Sequence, residues 1–321
     1  MSNKNITIGL AGDVMIGRLV NEFLNQAPPK SIWGDLLAFL QHTDLNLINL
    51  EAALTHSVQK VPKVFNFKAT PFKVEYLIEG SIHVVNLANN HLLDYSEEGL
   101  LETLDTLDHA HIQHIGAGRN FAEASRPVIL TRKGIKIGIL GCTDNEQSWK
   151  ATEKRSGTFY LEAGDLEVIG PLIVQLRPQV DLLILTIHWG PNMRQRPSSQ
   201  FKAFAHQLIE IGVDLIHGHS AHIFQGIEVY RGKLILYDTG DFVDDYAVDS
   251  ILRNDQSFFF LIEVGKLGIR GLRLIPTLIS QFQVNQAKGE EALKILKKMQ
   301  ELSEELSTSL QFEQNTLILK L

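Results

Sequence analysis

The amino-acid sequence predicts an α/β fold in which mixed β-sheets are covered by helices, and two patterns lead to this prediction. Over roughly the first 240 residues, short β-branched apolar runs alternate with longer amphipathic segments, as strands and crossover helices do. Residues 128–140 and 227–237 each hold two β-rich runs joined by a Lys-Gly or Arg-Gly pair, which is typical of hairpins. Because crossovers give parallel neighbours and hairpins give antiparallel ones, we expect mixed sheets.

The individual elements follow from the same patterns, taken in chain order. The pattern is mainly β from residue 257 to residue 284. Pro197 supports the start of the helix that follows it, because proline is favoured at helix starts. The predicted strands are residues 6–11, 45–50, 82–88, 135–141, 182–187 and 213–217. The predicted helices are residues 17–24, 34–41, 97–109, 165–176 and 198–211.

The end of the chain is expected to form an extension. The sequence has no repeat and no Pro/Gly/Ser-rich linker that marks a boundary, so residues 1–284 are expected to form one domain. Residues 285–321 then add a helix over residues 289–307 and a closing edge strand. The helix has an apolar stripe, which docks either against the domain or against a second subunit in a homo-oligomer. The stripe consists of Leu293, Leu296, Leu302 and Leu306.

Composition and charge exclude several classes of function. A formal charge of -7, with Lys and Arg spread along the chain, provides no basic stripe for a phosphate backbone, so nucleic acid is not an expected partner. Cys142 is the single cysteine, which rules out an internal disulfide and a thiolate zinc cluster. The first apolar run spans only about six residues, too few for a signal peptide, and no run reaches the roughly 18 to 20 of a transmembrane segment. A cytoplasmic protein is therefore expected.

Polar and ionisable side chains stand where six of the apolar runs end. In open α/β folds the carboxyl ends of strands face the ligand crevice, so residues that are distant in sequence converge there. Carboxylates, a carboxamide and imidazoles are the ligand types of a mixed oxygen and nitrogen metal site. The sequence therefore predicts a divalent-metal site at this edge. The residues concerned are Asp13, Glu51, Asn90, His91, His188, His217, His219, His222, Asp238 and Asp241.

Each of these residues also has an ordinary structural explanation when it is considered alone. Asp13 could belong to a turn or cap the following helix, and Glu51 could be an acid at a helix start. Asn90 could be a turn residue, and His188 could be a core histidine bonded to the backbone. The repeated occurrence of ligand-type residues at strand ends favours a shared site over separate structural roles.

Five motifs, spread in order over roughly residues 5–265, resemble those of the CapA-like poly-γ-glutamate capsule-synthesis family. They are "AGDVMIGR", "NLEAALT", "NLANNHLLDY", "IHWGPN" and "HGHSAHIFQGIEVYRGKLILYDTGDFVDDY". That family is similar to the calcineurin-like metallophosphatases, and the resemblance implies their four-layer sandwich of two mixed β-sheets flanked by helices. It also implies one or two divalent ions, Mn, Fe, Zn or Mg, as cofactors.

The resemblance implies a role for each matching position. His91 matches the histidine that protonates a leaving group or steadies a developing negative charge. Asp94 would orient His91 from behind, or it could simply cap the helix that follows. Glu51 stands at the position of the aspartate that bridges two metal ions in phosphatases. The implied metal ligands are Asp13, Glu51, Asn90, His188, His219 and His222.

Three departures from the phosphatase pattern weaken the expected site. Met15 stands where the first motif has a histidine, so one metal ion would lose a ligand. Asn89 replaces the glycine of the third motif. The usual His-x-His spacing becomes "HSAH", which leaves a ligand position open between His219 and Ser220. These changes point to a weaker, mononuclear or repurposed site.

Three functions are compatible with this pattern. The first is a metal-dependent hydrolase or group-transfer enzyme acting on the phosphoryl or acyl/peptide group of a small-molecule or polyglutamate-like substrate. The second is an amino-acid or peptide epimerase in which His91 exchanges protons with His188 or Asp241. The third is a non-catalytic component of polymer synthesis with a degenerate site. Arg194 and Arg196 would contact an acidic substrate or belong to a solvated loop, and Asp241 is also expected to contact substrate.

Overall fold

Two mixed β-sheets form the centre of the molecule in a computed structural model, which describes residues 5–321. Within these residues the larger sheet has ten strands and the smaller has six. The main path of the larger sheet runs through Gln311–Glu313, Thr316–Lys320, Gly268–Ser280, Gln256–Gly265, Ile6–Val14, Leu45–Leu50, Val84–Asn86 and Gln113–Ile115. Beside this path, Asp241–Val243 pairs with Ile6–Val14, and Gln283–Gln286 pairs with Gly268–Ser280.

The smaller sheet combines parallel and antiparallel pairs, as the larger one does. Its strands are, in spatial order, Ile227–Tyr230, Lys233–Leu236, Leu215–His219, Leu182–His188, Ile135–Thr143 and Val128–Arg132. Two short ladders complete the β-structure of the described chain, Ala53–Leu54 with Lys68–Ala69 and Ala117–Gly118 with Gly157–Thr158. The predicted mixed character of the sheets is confirmed.

Most of the helices cover the outer faces of the two sheets. The α-helices are Arg18–Leu24, Leu37–Gln41, Val74–Glu79, Ser96–His109, Phe121–Ala124, Leu166–Leu176, Ser199–Glu210 and Gly289–Glu304. Short 3₁₀ segments are Ser31–Leu36, Pro71–Lys73, Gln147–Trp149 and Arg177–Gln179. Within residues 5–321, none of the helices combines the length and the apolar character that crossing a membrane requires.

Three apolar cores fill the spaces between four layers. The core between the two sheets contains Ile8 from the larger sheet and Ile139 from the smaller one. A second core joins the outer face of the larger sheet to its helices, where Val85 and Leu104 are both buried. The third lies on the outer face of the smaller sheet around Leu185. Because the central strands are buried on both faces, they read as nearly continuous apolar runs. The predicted four-layer sandwich is confirmed.

Both predicted hairpins form, each across a two-residue turn. The central turn residues Lys133, Gly134, Arg231 and Gly232 all have positive φ. Two consecutive positive φ angles are the backbone of a type I′ turn, whose twist matches that of the strands it joins. The Lys-Gly and Arg-Gly pairs therefore specify the antiparallel edges of the smaller sheet.

Two predicted elements differ from the structure in a way that bears on the site or the packing. The first strand continues to Val14 instead of ending at residue 11, because Asp241–Val243 pairs with its last residues. The helix predicted over residues 34–41 is divided, since Gly34 has a non-helical φ of 45°. The other predicted strands and helices are present with ends shifted by a few residues.

The C-terminal helix and strand pack into the body of the molecule. The helix Gly289–Glu304 buries Ile295 and Leu296 in the core between the sheets, so its apolar stripe docks within the chain. Leu293, which the sequence placed on that stripe, is 53% exposed. The closing strand extends the larger sheet. A domain boundary after residue 284 stays a prediction, as does a homo-oligomer formed through this helix.

Leu296→Ala is expected to lower the free energy of unfolding by about 2 to 5 kcal/mol, because it removes a fully buried side chain from the core between the sheets. Leu293→Ala makes the same change on the exposed face of the same helix and should alter this free energy by about 0.5 kcal/mol or less. Urea unfolding of both variants measures the difference. Equal effects of the two substitutions would contradict the packing described here.

Candidate metal centre

The carboxyl ends of strands from both sheets meet at one edge of the sandwich. Asp13 lies near the end of its strand in the larger sheet, whereas His188 and His219 are the last residues of two parallel strands in the smaller sheet. The Oδ1 atom of Asp13 lies 3.8 Å from Nδ1 of each histidine. The two sheets therefore contribute jointly to one site.

An irregular strand register shapes the backbone around Asp13. The pairing of its strand with Asp241–Val243 shifts between Asp13 and Val14, and such bulges redirect side chains beside functional sites. Gly12 allows the close approach, because a Cβ atom at this position would lie 1.9 Å from the Gly240 carbonyl oxygen. The Asp13 amide donates to the same oxygen at 3.0 Å. This contact fixes the position of the Asp13 carboxylate.

The first group of metal-type donors comprises Asp13, His188 and His219, all of them buried. The Nδ1 atoms of the two histidines lie 2.9 Å apart. Burial lowers the pKa of both imidazoles well below the usual value, so both are neutral, the form that binds a metal ion. Thr186 Oγ1 lies 2.9 Å from Nε2 of His219 and orients that ring.

Two amide side chains hold the groups around His188. Nδ2 of Asn49 donates to Asp13 Oδ1 at 2.8 Å and lies 3.3 Å from His188 Nδ1. The Asn49 oxygen accepts a hydrogen bond from Asn89 at 3.2 Å, which sets the orientation of the amide. On the other side of the ring, Asn90 Oδ1 lies 3.0 Å from His188 Nε2 and orients the imidazole. Direct coordination of a metal ion by Asn90 stays a prediction.

The second group comprises Asp13, Glu51, His222 and Asp241, so Asp13 belongs to both groups. Nδ1 of His222 lies 2.8 Å from Asp241 Oδ1 and 3.5 Å from Asp13 Oδ2. Asp241 enters this group because it pairs with Asp13 on the neighbouring strand. It is fully buried among these donors, which favours a metal-binding role over the substrate contact that the sequence predicted.

The chemistry of the second group fits a divalent cation. Both carboxylate oxygens of Glu51 are buried without a hydrogen-bond partner, and so is Oδ2 of Asp241. Burial, followed by the charge of Asp13, raises the pKa of Glu51 well above its usual value. Burying an unpaired carboxylate is costly, and a positive charge is the usual compensation. Carboxylate oxygens together with an imidazole are suitable ligands for such an ion.

A strained loop presents His222 to these donors. Ser220 and His222 have φ angles of 116° and 59°, which residues with side chains seldom adopt. The Asp238 carboxylate holds the loop by accepting a hydrogen bond from the Ala221 amide at 2.7 Å. Such strain concentrates at functional sites because surrounding contacts must maintain it.

The structure shows the outcome of two departures from the phosphatase motifs. The Ser220 hydroxyl donates to the Gly190 carbonyl at 3.0 Å, so His219 rather than Ser220 lies among the donors. Met15, at the position where a histidine is usual, is fully buried in an apolar core. Met15 therefore supplies no ligand. Asp241 provides an additional carboxylate to the second donor group, which also contains Asp13.

His91 and Asp94 form a dyad beside the donors. Nδ1 of His91 lies 2.6 Å from Asp94 Oδ2. Asp94 also accepts hydrogen bonds from Lys63 Nζ at 2.9 Å and from the Phe67 amide at 2.7 Å. In this arrangement Asp94 acts as the acceptor for three donors, the third being the Nδ1–H of His91. The Nε2 atom then faces Glu51, whose Oε1 lies 3.7 Å away.

The surroundings of the dyad set its charge and exclude one of the roles considered for Asp94. Burial lowers the pKa of His91 to about 4, although Asp94 acts in the opposite direction, so His91 is neutral at neutral pH. Asp94 does not cap the next helix, because the N-cap position belongs to Tyr95 and has no side-chain cap bond. The contacts of Asp94 are those of a residue that orients His91.

An open cleft of about 860 Å³ leads to this site. Its lining includes Asn90, His91 and His222, whereas Asp13 and Glu51 are fully buried. A substrate entering the cleft would therefore meet the His91 imidazole directly. Asp13 and Glu51 lie behind the cleft, in a part of the site that is closed to bulk water, whereas His222 connects the second donor group to the cleft.

The two arginines predicted to bind substrate do not reach this cleft. Arg196 forms a two-bond ion pair with Glu305 at the end of the C-terminal helix, with both N···O distances at 2.6 Å. Arg194 is exposed, and neither residue lines the cleft. The loop that follows His188 directs these side chains outward, which agrees with the solvated-loop alternative, and contact of either arginine with a substrate stays a prediction. Lys63 is a cation that does line the cleft.

Three residues of the site do not stand out in the sequence. Asn49 stands two positions before Glu51 in "NLINLE", and strand alternation places such a pair on the same face, so this signal was available. Lys63 and Phe67 lie in a segment without regular secondary structure. Periodicity gives no information in such a segment, and the contacts of these two residues with Asp94 depend on the tertiary fold.

The motifs and the fold agree with what is known of similar proteins. The family model described as bacterial capsule synthesis protein PGA_cap matches residues 7–246. The chain belongs to this family. The family resemblance seen in the sequence motifs is therefore confirmed. The matched PGA_cap region includes every member of the two donor groups and the His91–Asp94 dyad.

Relatives of this PGA_cap protein have names that refer to polymer or capsule synthesis. A probable polyglutamine synthesis accessory protein of Mycobacterium tuberculosis is 31% identical, and the match covers 88% of this chain and 87% of that protein. The capsule biosynthesis protein CapA of Bacillus anthracis is 29% identical, with 76% of this chain and 61% of that protein covered. A solved structure of a novel phosphatase from Mycoplasma pneumoniae shares the fold, with a TM-score of 0.54 and 14% identity over 86% of this chain and 94% of that one.

Asp13→Asn is expected to lower the metal content of the protein more than His188→Ala or Asp241→Asn does, because Asp13 belongs to both donor groups and the others to one each. Elemental analysis after dialysis against Mn²⁺ measures this content. His206→Ala is the matched control, since that imidazole bonds to Glu228 outside the site. Wild-type metal content in Asp13→Asn would contradict the shared position of this residue.

Removing divalent metal with a chelator is expected to lower the melting temperature, because bound ions compensate the buried carboxylates. A free metal concentration of about one hundred times the Kd would raise the free energy of unfolding by about 2.7 kcal/mol. Glu51→Gln should reduce the temperature difference between the metal-loaded and metal-free forms, since it removes a charged donor. Calorimetric scans of both forms check this, and identical wild-type melting temperatures with and without metal would refute it.

Proposed function

We propose that the chain is a metal-dependent hydrolase or group-transfer enzyme that acts on a phosphoryl or acyl group during synthesis of a poly-γ-glutamate-like capsule polymer. The observation that carries the proposal is the arrangement of two donor groups sharing Asp13 beside the His91–Asp94 dyad. The names of the relatives, which refer to capsule and polyglutamine synthesis, support a role in polymer formation.

The donor set fits two divalent ions, one in each group. When bound, the ions would polarise a phosphoryl or carbonyl oxygen and lower the pKa of a bound water molecule. Mn, Fe, Zn or Mg are the candidates, because the donors are carboxylates and imidazoles. The residues that would hold them are Asp13, His188 and His219 for one ion, with Asn90 close by, and Asp13, Glu51, His222 and Asp241 for the other.

His91 is the residue of the chain that would move a proton. Asp94 holds the Nδ1–H, which leaves Nε2 directed toward the donor groups, and the imidazole lines the cleft. Lys63 and the Phe67 amide hold Asp94 in turn, so the imidazole has one orientation. A proton can then pass between His91 Nε2 and the substrate or a water molecule in the cleft.

The two other functions considered from the sequence have less support. An epimerase needs a second proton-transfer group that faces His91 across the substrate. His188 and Asp241 are 1% and 0% exposed and lie within the donor groups. A degenerate module would have no reason to keep the unpartnered carboxylate of Glu51, which is costly without a cation. The expected cytoplasmic location stays a prediction.

His91→Ala is expected to lower metal-dependent turnover by about 10²- to 10⁴-fold with the metal content retained, because it removes the proton-transfer group and leaves both donor groups intact. The measurement uses p-nitrophenyl phosphate for phosphoryl transfer and γ-glutamyl-p-nitroanilide for acyl transfer, each with and without Mn²⁺. His206→Ala should keep wild-type rates. Turnover of His91→Ala at the wild-type rate would overturn the role of His91, and turnover independent of metal would overturn the proposed class of enzyme.

A further inference from the structure

A row of aromatic rings runs from the dyad to the outer rim of the cleft. Phe67 stacks on His91 with ring centroids 3.8 Å apart, and Phe65 stacks on Phe67 at 6.5 Å. Tyr246 lies 5.9 Å from Phe67 and 5.0 Å from the ring of His222. The rings that line the cleft are therefore continuous with the groups proposed to carry out the chemistry.

Exposed apolar side chains extend this row at the rim. Val64 and Phe65 are 90% and 52% exposed, and Val248 on a separate segment is 54% exposed. All three line the cleft. Both segments lack regular secondary structure, so no helix or strand packing requires these residues to be apolar. A contiguous apolar patch at the mouth of a site marks a binding surface.

Charged side chains are scarce in the same cleft. Among the described residues that line it, histidines apart, Lys63 and Asp249 are the ones with a charge. The Lys63 ammonium group is engaged by the Asp94 carboxylate and the Asn90 carbonyl oxygen. Arg18, whose guanidinium lies 4.8 Å from the centroid of the Phe65 ring beside the cleft, is paired with Asp245. Because both cations are already paired with carboxylates, they are poor partners for a substrate that carries many free carboxylates. The cleft is therefore poorly suited to a bare polyanionic chain.

We infer that the substrate is amphiphilic, with an anionic phosphoryl or carboxyl head that reacts beside His91 and an apolar chain or ring that lies along the exposed face of Phe65. This inference rests on the proposed function and narrows its substrate class. The anionic head lies close to the donor groups, where the proposed metal ions would supply positive charge. The apolar part of the substrate covers the exposed surfaces of Phe65, Val64 and Val248. Burial of that surface supplies binding free energy that the few charged groups of the cleft do not.

The test measures binding, without turnover, of n-alkyl phosphonates and n-alkyl carboxylates from methyl to hexyl. Each is titrated calorimetrically into the metal-loaded full chain below the concentration at which it forms micelles. Affinity in one or both series should rise about three- to fourfold for each added methylene. Phe65→Ala should weaken hexyl binding by about two- to tenfold. Phe72→Ala is the matched control, because Phe72 is 63% exposed but does not line the cleft, and it should leave affinity unchanged.

Three results from the ligand series would overturn the inference. These are equal affinity for short and long tails, absence of binding in both series, and tighter binding of a γ-linked glutamate oligomer than of an alkyl ligand of the same length. An equal loss of hexyl affinity in Phe72→Ala and in Phe65→Ala would also overturn it, because the apolar tail would then not bind specifically in the cleft. The proposed function is judged separately, by metal-dependent turnover and its loss in His91→Ala.

Discussion

The burial of several carboxylates around one imidazole is the constraint on which the rest of the site depends. Burial raises the pKa of Asp13, Glu51 and Asp241, and it raises that of Asp238 to about 8. Burial alone would lower the pKa of His222, but the surrounding carboxylates outweigh it and raise that pKa. Raised pKa values favour protonation of these groups in the metal-free chain, which avoids the cost of buried negative charge. A bound divalent ion would replace those protons and leave the carboxylates ionised as ligands.

The two sheets hold these groups in place, and the loops between the strands determine what the groups can react with. Asp13 comes from the larger sheet and His188 from the smaller, so the site exists only when the sheets are packed together. The segment that carries Lys63 and Phe67 links this rigid part to the cleft. It fixes Asp94 through two hydrogen bonds, and it also provides part of the apolar rim. One loop thus orients His91 through Asp94 and would also contribute to the proposed recognition of substrate.

The parts of this arrangement that follow from local sequence could be predicted, and the parts that follow from long-range packing could not. The alternation of apolar runs with amphipathic segments indicated sheets covered by helices, and the family resemblance implied the four layers. Polar residues at strand ends indicated Asp13 and His188, because strand direction alone brings such ends together. The Lys-Gly and Arg-Gly pairs specified their hairpins through backbone conformation. The ion pair of Arg196 could not be predicted, because its partner, Glu305, is more than one hundred residues away at the end of a helix whose position depends on the whole core.

Asp241 and Lys63 show the same limit within the site. Asp241 joins the donors through parallel pairing with the strand of Asp13, and a short segment of three residues gives no sign of that pairing in the sequence. Lys63 reaches Asp94 from a segment without periodicity.

The central claim is that Asp13 is shared between two cation sites. Anomalous diffraction from crystals soaked in Mn²⁺ tests it most directly: two manganese peaks, one on each side of Asp13, are predicted, and a single peak or none at this residue would contradict the account.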